Sequence, residues 1–209
     1  MPDGAACAAA IARKWNQIAL GTPGVVTSTA EGGGALSLAA RHVPGSTCQR
    51  QPFCPAPAVE VTQSGAIEGD FDAVATFEGF SGGQDGMVSA MRMNLLPDGA
   101  LVETTIRESG GPALGVAVNG SPVMSVPVDG RGGSFRIWRR AANVGVTVSA
   151  GSKSIEQSVV VASGPIDALL ALGIYNWSDT AIEAETSIRF TDFTITGTHE
   201  IESDTFDCL

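Results

Sequence analysis

The stretch "AIEGDFDAVATFEGF", residues 66–80, alternates between polar and apolar side chains with a period of two. One face carries the acidic and polar side chains of Glu68, Asp70, Asp72, Thr76 and Glu78. The other face carries the apolar side chains of Phe71, Ala73, Ala75 and Phe77. Alternation of this kind is typical of a β-strand with one face in a core and the other in water.

Similar strand patterns recur along the chain and are separated by turn signals. The runs "VVTSTA" and "GALSLAA" flank a Gly-rich turn, and Asn119–Gly120 separates two alternating runs, as in a tight hairpin. A change of apolar phase between Phe190 and Phe193 predicts a β-bulge near Thr191–Asp192. About a dozen strands with almost no helical periodicity predict an all-β sandwich or barrel. We interpret residues 1–209 as one domain, with a lead-in over 1–20 and a tail over 198–209.

Composition narrows the classes of partner. Of the 209 residues, 44% are hydrophobic and 16% are charged, which supports a buried core rather than disorder. The net charge of −10 disfavours binding to nucleic acid or to an anionic membrane surface. No apolar run approaches the ~20 residues that a membrane-spanning helix needs. We therefore expect neither a nucleic-acid partner nor membrane insertion.

The four cysteines, Cys7, Cys48, Cys54 and Cys208, include no CxxC pair, and neither histidine lies at a zinc-finger spacing from them, which disfavours a zinc site. Three disulfide connectivities are possible, and four reduced thiols are the alternative to all of them. We favour Cys48–Cys54, which would close a Pro-rich loop, and Cys7–Cys208, which would tie the two ends of the chain together. Disulfides imply a secreted or cell-surface location, although "MPDGAACAAAIARKW" lacks the charged start and apolar core of a leader peptide.

Three segments resemble a known superfamily. The order of "GDFDAVATFEGF", "FRIWRR" leading into "VGVTVSAG", and "LGIYNWSDTAIEAETSIRFTDFTI" is similar to that of the concanavalin A-like lectin/glucanase jelly roll, in particular the laminin-G-like domains of secreted bacterial proteins. The resemblance covers roughly residues 20–197. It implies two stacked antiparallel sheets, neighbouring first and last strands, and a concave sheet that often binds sugar. Neighbouring termini would also bring Cys7 within reach of Cys208.

The aromatic side chains are the candidates for sugar binding. Arg136, Trp138 and Arg140 alternate on one face of a predicted strand whose other phase is apolar, and Tyr175 and Trp177 share a face of another strand. Aromatic rings beside hydrogen-bond donors are a common platform for sugar rings. The alternative is that each ring packs on the sandwich, and "YNWSD" around Trp177 resembles a structural turn of the superfamily.

The resemblance also suggests two other kinds of site, a hydrolase active site and a metal site. Glu68, Asp70 and Asp72 alternate as the catalytic acids of laminarinase-like members do, and a retaining mechanism needs two carboxyl groups about 5–5.5 Å apart. Here Gly69 separates the first two acids, and Asp72 stands where the family motif has Glu, so a solvated acidic face is the favoured interpretation. Asp192 resembles a metal-binding residue of the superfamily, so a structural Ca²⁺ is a possible cofactor, and an Asp that caps the bulge is the alternative.

These observations predict a secreted, lectin-like β-sandwich that binds carbohydrate or a glycan surface without catalysis. Two alternatives stay open: a structural subunit of a cell-surface or extracellular assembly that associates with itself, and a glycoside hydrolase that uses Glu68, Asp70 and Asp72. A fold of this kind can serve all three functions.

Peptide mapping of the protein without reduction should recover Cys7 joined to Cys208 and Cys48 joined to Cys54. The long loop closed by the first pair would stabilise the fold by about 5 kcal/mol in the chain-entropy treatment. Four free thiols in the purified protein would contradict both the pairing and the extracellular location.

Overall fold

The computed structural model describes residues 15–19, 25–32, 35–42, 59–63, 67, 69–96, 100–119, 121–160, 167–176 and 184–197. The strands are β1 (Trp15–Ala19), β2 (Val25–Gly32), β3 (Ala35–His42), β4 (Val59–Gln63), β5 (Phe71–Ser81), β6 (Met87–Leu96), β7 (Ala100–Glu108), β8 (Pro112–Val118), β9 (Ser121–Pro127), β10 (Gly133–Arg140), β11 (Asn143–Ala150), β12 (Lys153–Val160), β13 (Asp167–Asn176) and β14 (Thr186–Gly197). Within these ranges no helix has the length and apolar character to cross a bilayer.

The strands form two seven-stranded antiparallel sheets. Sheet A has the order β1-β4-β13-β6-β7-β8-β9, and sheet B has the order β12-β11-β10-β5-β14-β3-β2. Neighbours in space are often distant in sequence, as with β5 between β10 and β14. The all-β, two-sheet antiparallel sandwich predicted from the sequence is confirmed.

Most of the acidic stretch 66–80 forms β5, the central strand of sheet B. Along β5 the apolar positions from Phe71 to Phe77 are buried, while the intervening residues, including Asp72, are partly exposed. The alternation breaks at Gly79, whose φ of 64° lets β5 carry an extra residue against β14. A second register shift lies between Phe190 and Asp192, which confirms the bulge predicted there.

The core lies between the inner faces of the two sheets. Sheet B contributes a group of phenylalanines, in which the rings of Phe77 and Phe135 stack with centroids 4.5 Å apart and Phe190 lies 6.3 Å from Phe135. Sheet A contributes aliphatic and thioether side chains such as Met91 and Leu172, both fully buried. Since aromatic side chains bury large areas, these rings are a main source of inter-sheet stabilisation.

The hairpin predicted at Asn119 is present, because β8 pairs with β9 across it. The β8–β9 hairpin turns at Asn119, whose φ is 52° and whose amide donates to the carbonyl of Leu101.

At one end of the sandwich, the guanidinium of Arg131 donates to Glu108 Oε2 at 2.9 Å and to the carbonyl of Phe80 at 3.1 Å. Because Glu108 ends a strand of sheet A and Phe80 lies in sheet B, this arginine links the two sheets.

The structure differs from the sequence expectation near the start of the chain. Residues 1–20 were expected to be a lead-in to the domain, but Trp15–Ala19 forms strand β1 and pairs with Val59–Gln63 of β4. The sequence pattern did not reveal this strand because "WNQIA" is short and does not alternate regularly between apolar and polar side chains. The four cysteines and the tail over 198–209 lie outside the described residues.

Substitution of Phe135 by Ala should lower the free energy of unfolding by about 3–5 kcal/mol, because the cavity left behind removes the stack with Phe77. Urea denaturation followed by far-UV circular dichroism measures this change. Thr147→Ala is the control, because Thr147 lies on the outward face of the neighbouring strand β11 and should change the value by less than about 1 kcal/mol. Equal losses in the two variants would show that Phe135 is not a core residue.

Candidate functional site

The pairing of β5 with β10 assembles a group of side chains on the outward face of sheet B. Trp138 lies opposite Asp72 in the register, and Arg136 and Arg140 lie two residues to either side of Trp138. Phe135 and Ile137 in the other phase are fully buried, as the sequence predicted. We call Asp72, Arg136, Trp138 and Arg140 the tryptophan face.

The indole of Trp138 lies flat on the sheet because the facing residue on β11 is Gly145. A Cβ atom at Gly145 would overlap the indole atoms Cε2, Cζ2 and Nε1. Glycine is disfavoured inside a strand, and its use here is explained by the close approach of the ring. One face of the indole is therefore held against the backbone of β11, and Trp138 as a whole stays partly exposed.

Asp72 positions the two arginines of the tryptophan face. Arg136 donates from Nε to Asp72 Oδ1 at 2.9 Å and from NH2 to Oδ2 at 2.6 Å, a bidentate pair. The NH2 group of Arg140 lies 3.7 Å from the same Oδ2 atom. The hydrogen bond with Asp72 raises the pKa of Arg136, so this guanidinium stays charged.

Asp70, which immediately precedes β5, stabilises a turn. Its Oδ1 atom accepts a hydrogen bond of 2.7 Å from the amide of Ala141. Ala141 has a φ of 51° and lies in the turn between β10 and β11, so the carboxylate supports a backbone conformation that alanine rarely adopts. Arg140 reinforces the same corner by donating to the carbonyl of Phe71 at 2.7 Å.

The acidic run therefore does not form a free pair of carboxylates in the part that the structure describes. Asp72 is engaged by arginines and Asp70 by a backbone amide, and Glu68 lies outside the described residues. Both engaged carboxylates stabilise the β5–β10–β11 corner. Their geometry favours the interpretation of a structural, solvated acidic face over that of catalytic acids.

The structure separates Tyr175 from the tryptophan face. Tyr175 belongs to β13 in sheet A, where it is 2% exposed and clusters with Val88 and Ala90 on the face opposite the inter-sheet core. The guanidinium carbon of Arg92 lies 3.3 Å from the centroid of the tyrosine ring. Trp177 lies outside the described residues. Trp138 and Tyr175, both proposed from the sequence as sugar ligands, thus lie on opposite sides of the sandwich.

A polar cluster around Tyr175 was missed by the sequence reasoning. Arg92 forms a salt bridge with Glu103, directly opposite it on β7, and Glu103 is only 1% exposed. Thr105 is also 1% exposed on the same face. Alternation in "ALVETTIRE" places Glu103 and Thr105 in one phase, but only the register shows that this phase meets Arg92 and faces away from the inter-sheet core.

Asp192 lies at the β-bulge of β14, opposite Thr76 of β5, and its side chain is exposed. Among the described residues no group of three or more His, Cys, Asp or Glu side chains converges in a way that could hold a metal ion. Calcium requires six to eight oxygen ligands, so Asp192 would need ligands from other parts of the chain. The calcium site stays a prediction.

No protein-family model matches the sequence, and no curated protein sequence matches it. Solved structures match the fold. An alginate lyase from polysaccharide lyase family 7 aligns with a TM-score of 0.55 at 13% identity, covering 81% of this chain and 81% of that one. A legume lectin-like domain from Entamoeba histolytica aligns with a TM-score of 0.54 at 8% identity, covering 90% and 92%. A β-glucanase from Bacillus licheniformis aligns with a TM-score of 0.52 at 9% identity, covering 87% and 90%.

These likenesses, together with the two antiparallel sheets, show that the chain has the concanavalin A-like jelly-roll fold that the sequence resemblance implied. At such low identity they establish the fold alone. Function has to be inferred from the site.

The purified protein should release no reducing ends from β-glucans, because Asp70 and Asp72 are engaged in holding the β5–β10–β11 corner. A reducing-sugar assay with an active glucanase as positive control tests this. Hydrolysis that disappears in Glu68→Gln would establish the glycoside hydrolase alternative instead.

Proposed function

We propose that this protein binds carbohydrate on the tryptophan face of sheet B, without catalysis, as a lectin-like protein outside the cell or on its surface. The observation that carries the proposal is the indole of Trp138, laid flat on Gly145 between two arginines that Asp72 holds in place. The likeness to a lectin-like domain and to two enzymes named for glycans supports carbohydrate as the class of ligand.

The chemistry of the tryptophan face suits a sugar ring. The flat apolar ring of the indole can stack against the C–H groups on one face of a sugar ring. The negative face of the indole attracts the partly positive hydrogens of these C–H groups. Arg136 and Arg140 are 45% and 53% exposed, so their remaining N–H groups are available to hydroxyl oxygens at the rim of the ring. Because the indole and both guanidinium groups are already positioned, binding costs little side-chain entropy.

A structural role in an extracellular assembly is the second candidate. The edge strand β9 exposes Val123 and Met124, and the edge strand β12 exposes Val160. Exposed apolar residues on sheet edges favour association with another chain. Pro122 and Pro127 interrupt the hydrogen-bonding capacity of β9, which argues against simple edge-to-edge pairing there.

A glycan array, run with and without Ca²⁺, should identify a sugar that binds, and Trp138→Ala should then weaken its binding by about 2 kcal/mol, roughly thirtyfold. The melting temperature should change little, since the ring lies on an outward face. Isothermal titration calorimetry and differential scanning calorimetry measure the two quantities.

Gly145→Ala keeps the indole and displaces it from the sheet, so it should also weaken binding severalfold. Arg189→Gln is the matched control, because Arg189 pairs with Glu78 elsewhere on the same outward face and should bind normally. A large fall in melting temperature with unchanged affinity in Trp138→Ala would show that the indole only packs and that the site lies elsewhere.

A further inference from the structure

Strand β12 forms one edge of sheet B, and its outer side is open. Among the described strands it pairs only with β11, in a register without a shift. Natural proteins usually protect a sheet edge with proline, a bulge or a very short strand. β12 has eight residues and no proline, whereas the edge strand β9 of sheet A carries Pro122 and Pro127 and a register shift against β8. The edge at β12 is therefore the less protected of the two.

The turn before β12 decides which of its backbone groups face away from β11. Gly151 and Ser152 form a two-residue loop between Ala150 and Lys153, and Gly151 has the positive φ, 56°, that such tight turns require. The two residues that flank this kind of loop form a hydrogen-bonded pair, and hydrogen-bonded pairs then alternate along the ladder. The odd-numbered residues of β12 therefore bond to β11.

The even-numbered residues of β12 direct their backbone N–H and C=O groups to the open side. They are Ser154, Glu156, Ser158 and Val160, and all four side chains are exposed, Val160 at 78%. The carbonyl of Ser158 accepts a hydrogen bond of 3.2 Å from the side-chain amide of the adjacent Gln157, as expected for a carbonyl without a partner on β11. These four residues thus present a row of backbone donors and acceptors that no described strand uses.

We propose that a second copy of this chain pairs antiparallel along β12, so that two copies of sheet B join into one continuous sheet. The register is centred on Gln157. It sets Ser154 opposite Val160 of the second copy, and Glu156 opposite Ser158 of the second copy. Each of these is a hydrogen-bonded pair, which exchanges two backbone bonds.

This register satisfies the whole open edge. By two-fold symmetry, every outward N–H and C=O group of the four even-numbered residues has a partner on the other copy. No other antiparallel register maps these four residues onto themselves. A second copy therefore brings an open strand of the same length and the same phase, which is the partner that this edge fits.

The side chains of β12 are compatible with the pairing. Directly opposite residues join serine to valine and glutamate to serine, so no like charges face each other, an arrangement that would be destabilising. The carboxylate of Glu156 lies near Arg136 of its own chain and helps to raise the pKa of that guanidinium, so its charge is partly offset within the chain. Lys153 lies outside the paired segment 154–160.

The dimer places two tryptophan faces side by side. Opposite residues in an antiparallel pair point to the same side of a sheet, so both outward faces of sheet B face the same direction. Trp138 on β10 is separated from its copy by five strand spacings, which is about 25 Å. Two sites on one surface bind a surface of repeated glycans more tightly than one site does. This consequence rests on the proposed function, whereas the dimer itself does not.

Sedimentation equilibrium of the full chain, from about 1 μM to about 500 μM, tests the dimer. The average mass should rise with concentration to twice that of the chain and then stop, because a two-fold contact is closed.

Two variants at one position assign the contact to β12. Ser158→Pro removes an N–H group that faces the second copy and keeps the bonds to β11, and proline is tolerated on an edge strand. It should weaken the dimer by at least about tenfold. Ser158→Ala is the matched control, because it keeps the backbone N–H and should dimerise like the unmodified chain. Far-UV circular dichroism checks that both variants are folded.

Gln157→Cys gives a second test, which decides the question if Ser158→Pro fails to fold. In the proposed register, residue 157 meets its copy in a non-hydrogen-bonded pair, with Cα atoms about 4.5 Å apart and within the range of a disulfide. Mild oxidation should give a covalent dimer, with peptides joined at position 157 in mass spectrometry. Met124→Cys, at a 42% exposed position of β9, is the control for random collision and should give no peptides joined at position 124.

Glycan binding separates the dimer from the proposed function. A surface coated densely with the sugar found on the array should bind the unmodified chain at least about tenfold more tightly than Ser158→Pro. The free sugar should bind both equally. If no sugar binds at all, the proposed function fails, and sedimentation and cross-linking still decide the dimer.

Three results would overturn the proposal. The first is a chain that stays monomeric over the whole range of concentration. The second is a dimer that Ser158→Pro leaves unchanged, which would place the contact on another surface. The third is cross-linking of Met124→Cys as efficient as that of Gln157→Cys, which would show that the contact is not specific to β12.

Discussion

The packing of two sheets through a single apolar layer is the constraint on which the rest of the structure depends. In sheet B this layer is built around stacked phenylalanines, with Phe77 and Phe135 in contact on neighbouring strands. Because side chains alternate along a strand, the burial of Phe135 obliges Arg136 and Trp138 to point outward. A slip of one residue would exchange the core and the surface of a whole strand, so the core also fixes every outward group.

The two outward faces that result are chemically different. The tryptophan face of sheet B is exposed, and its Asp72–Arg136 pair is a surface ion pair, which contributes little to stability and mainly fixes geometry. The outward face of sheet A instead buries charge, with Glu103 at 1% exposure beside Arg92. Loss of water from a buried ion pair offsets much of its Coulomb attraction, so such a pair serves the arrangement of the face more than its stability.

The acidic residues Asp70 and Asp72, which are conspicuous in the sequence because they alternate with apolar residues, hold neighbouring residues in position. Asp70 supports the β10–β11 turn at Ala141, and Asp72 orders the guanidinium of Arg136. Their influence reaches Trp138 because that residue lies opposite Asp72 in the strand register and leads into the turn that Asp70 supports. Carboxylates of one strand thus act on the aromatic site through the backbone and side chains of the next strand.

The sequence alone determined the strands other than β1, their inner and outer faces, the Asn119 hairpin and the bulge before Asp192, because alternation and turn preferences are local properties. It also placed Arg136, Trp138 and Arg140 together on one face. Only the tertiary structure decided which strands are neighbours, since β5 pairs with β10 and β14 across more than fifty residues of chain. For the same reason the register alone separated Tyr175 from Trp138, opposed Arg92 to Glu103 and set Gly115 before Thr105, none of which is encoded in short-range pattern.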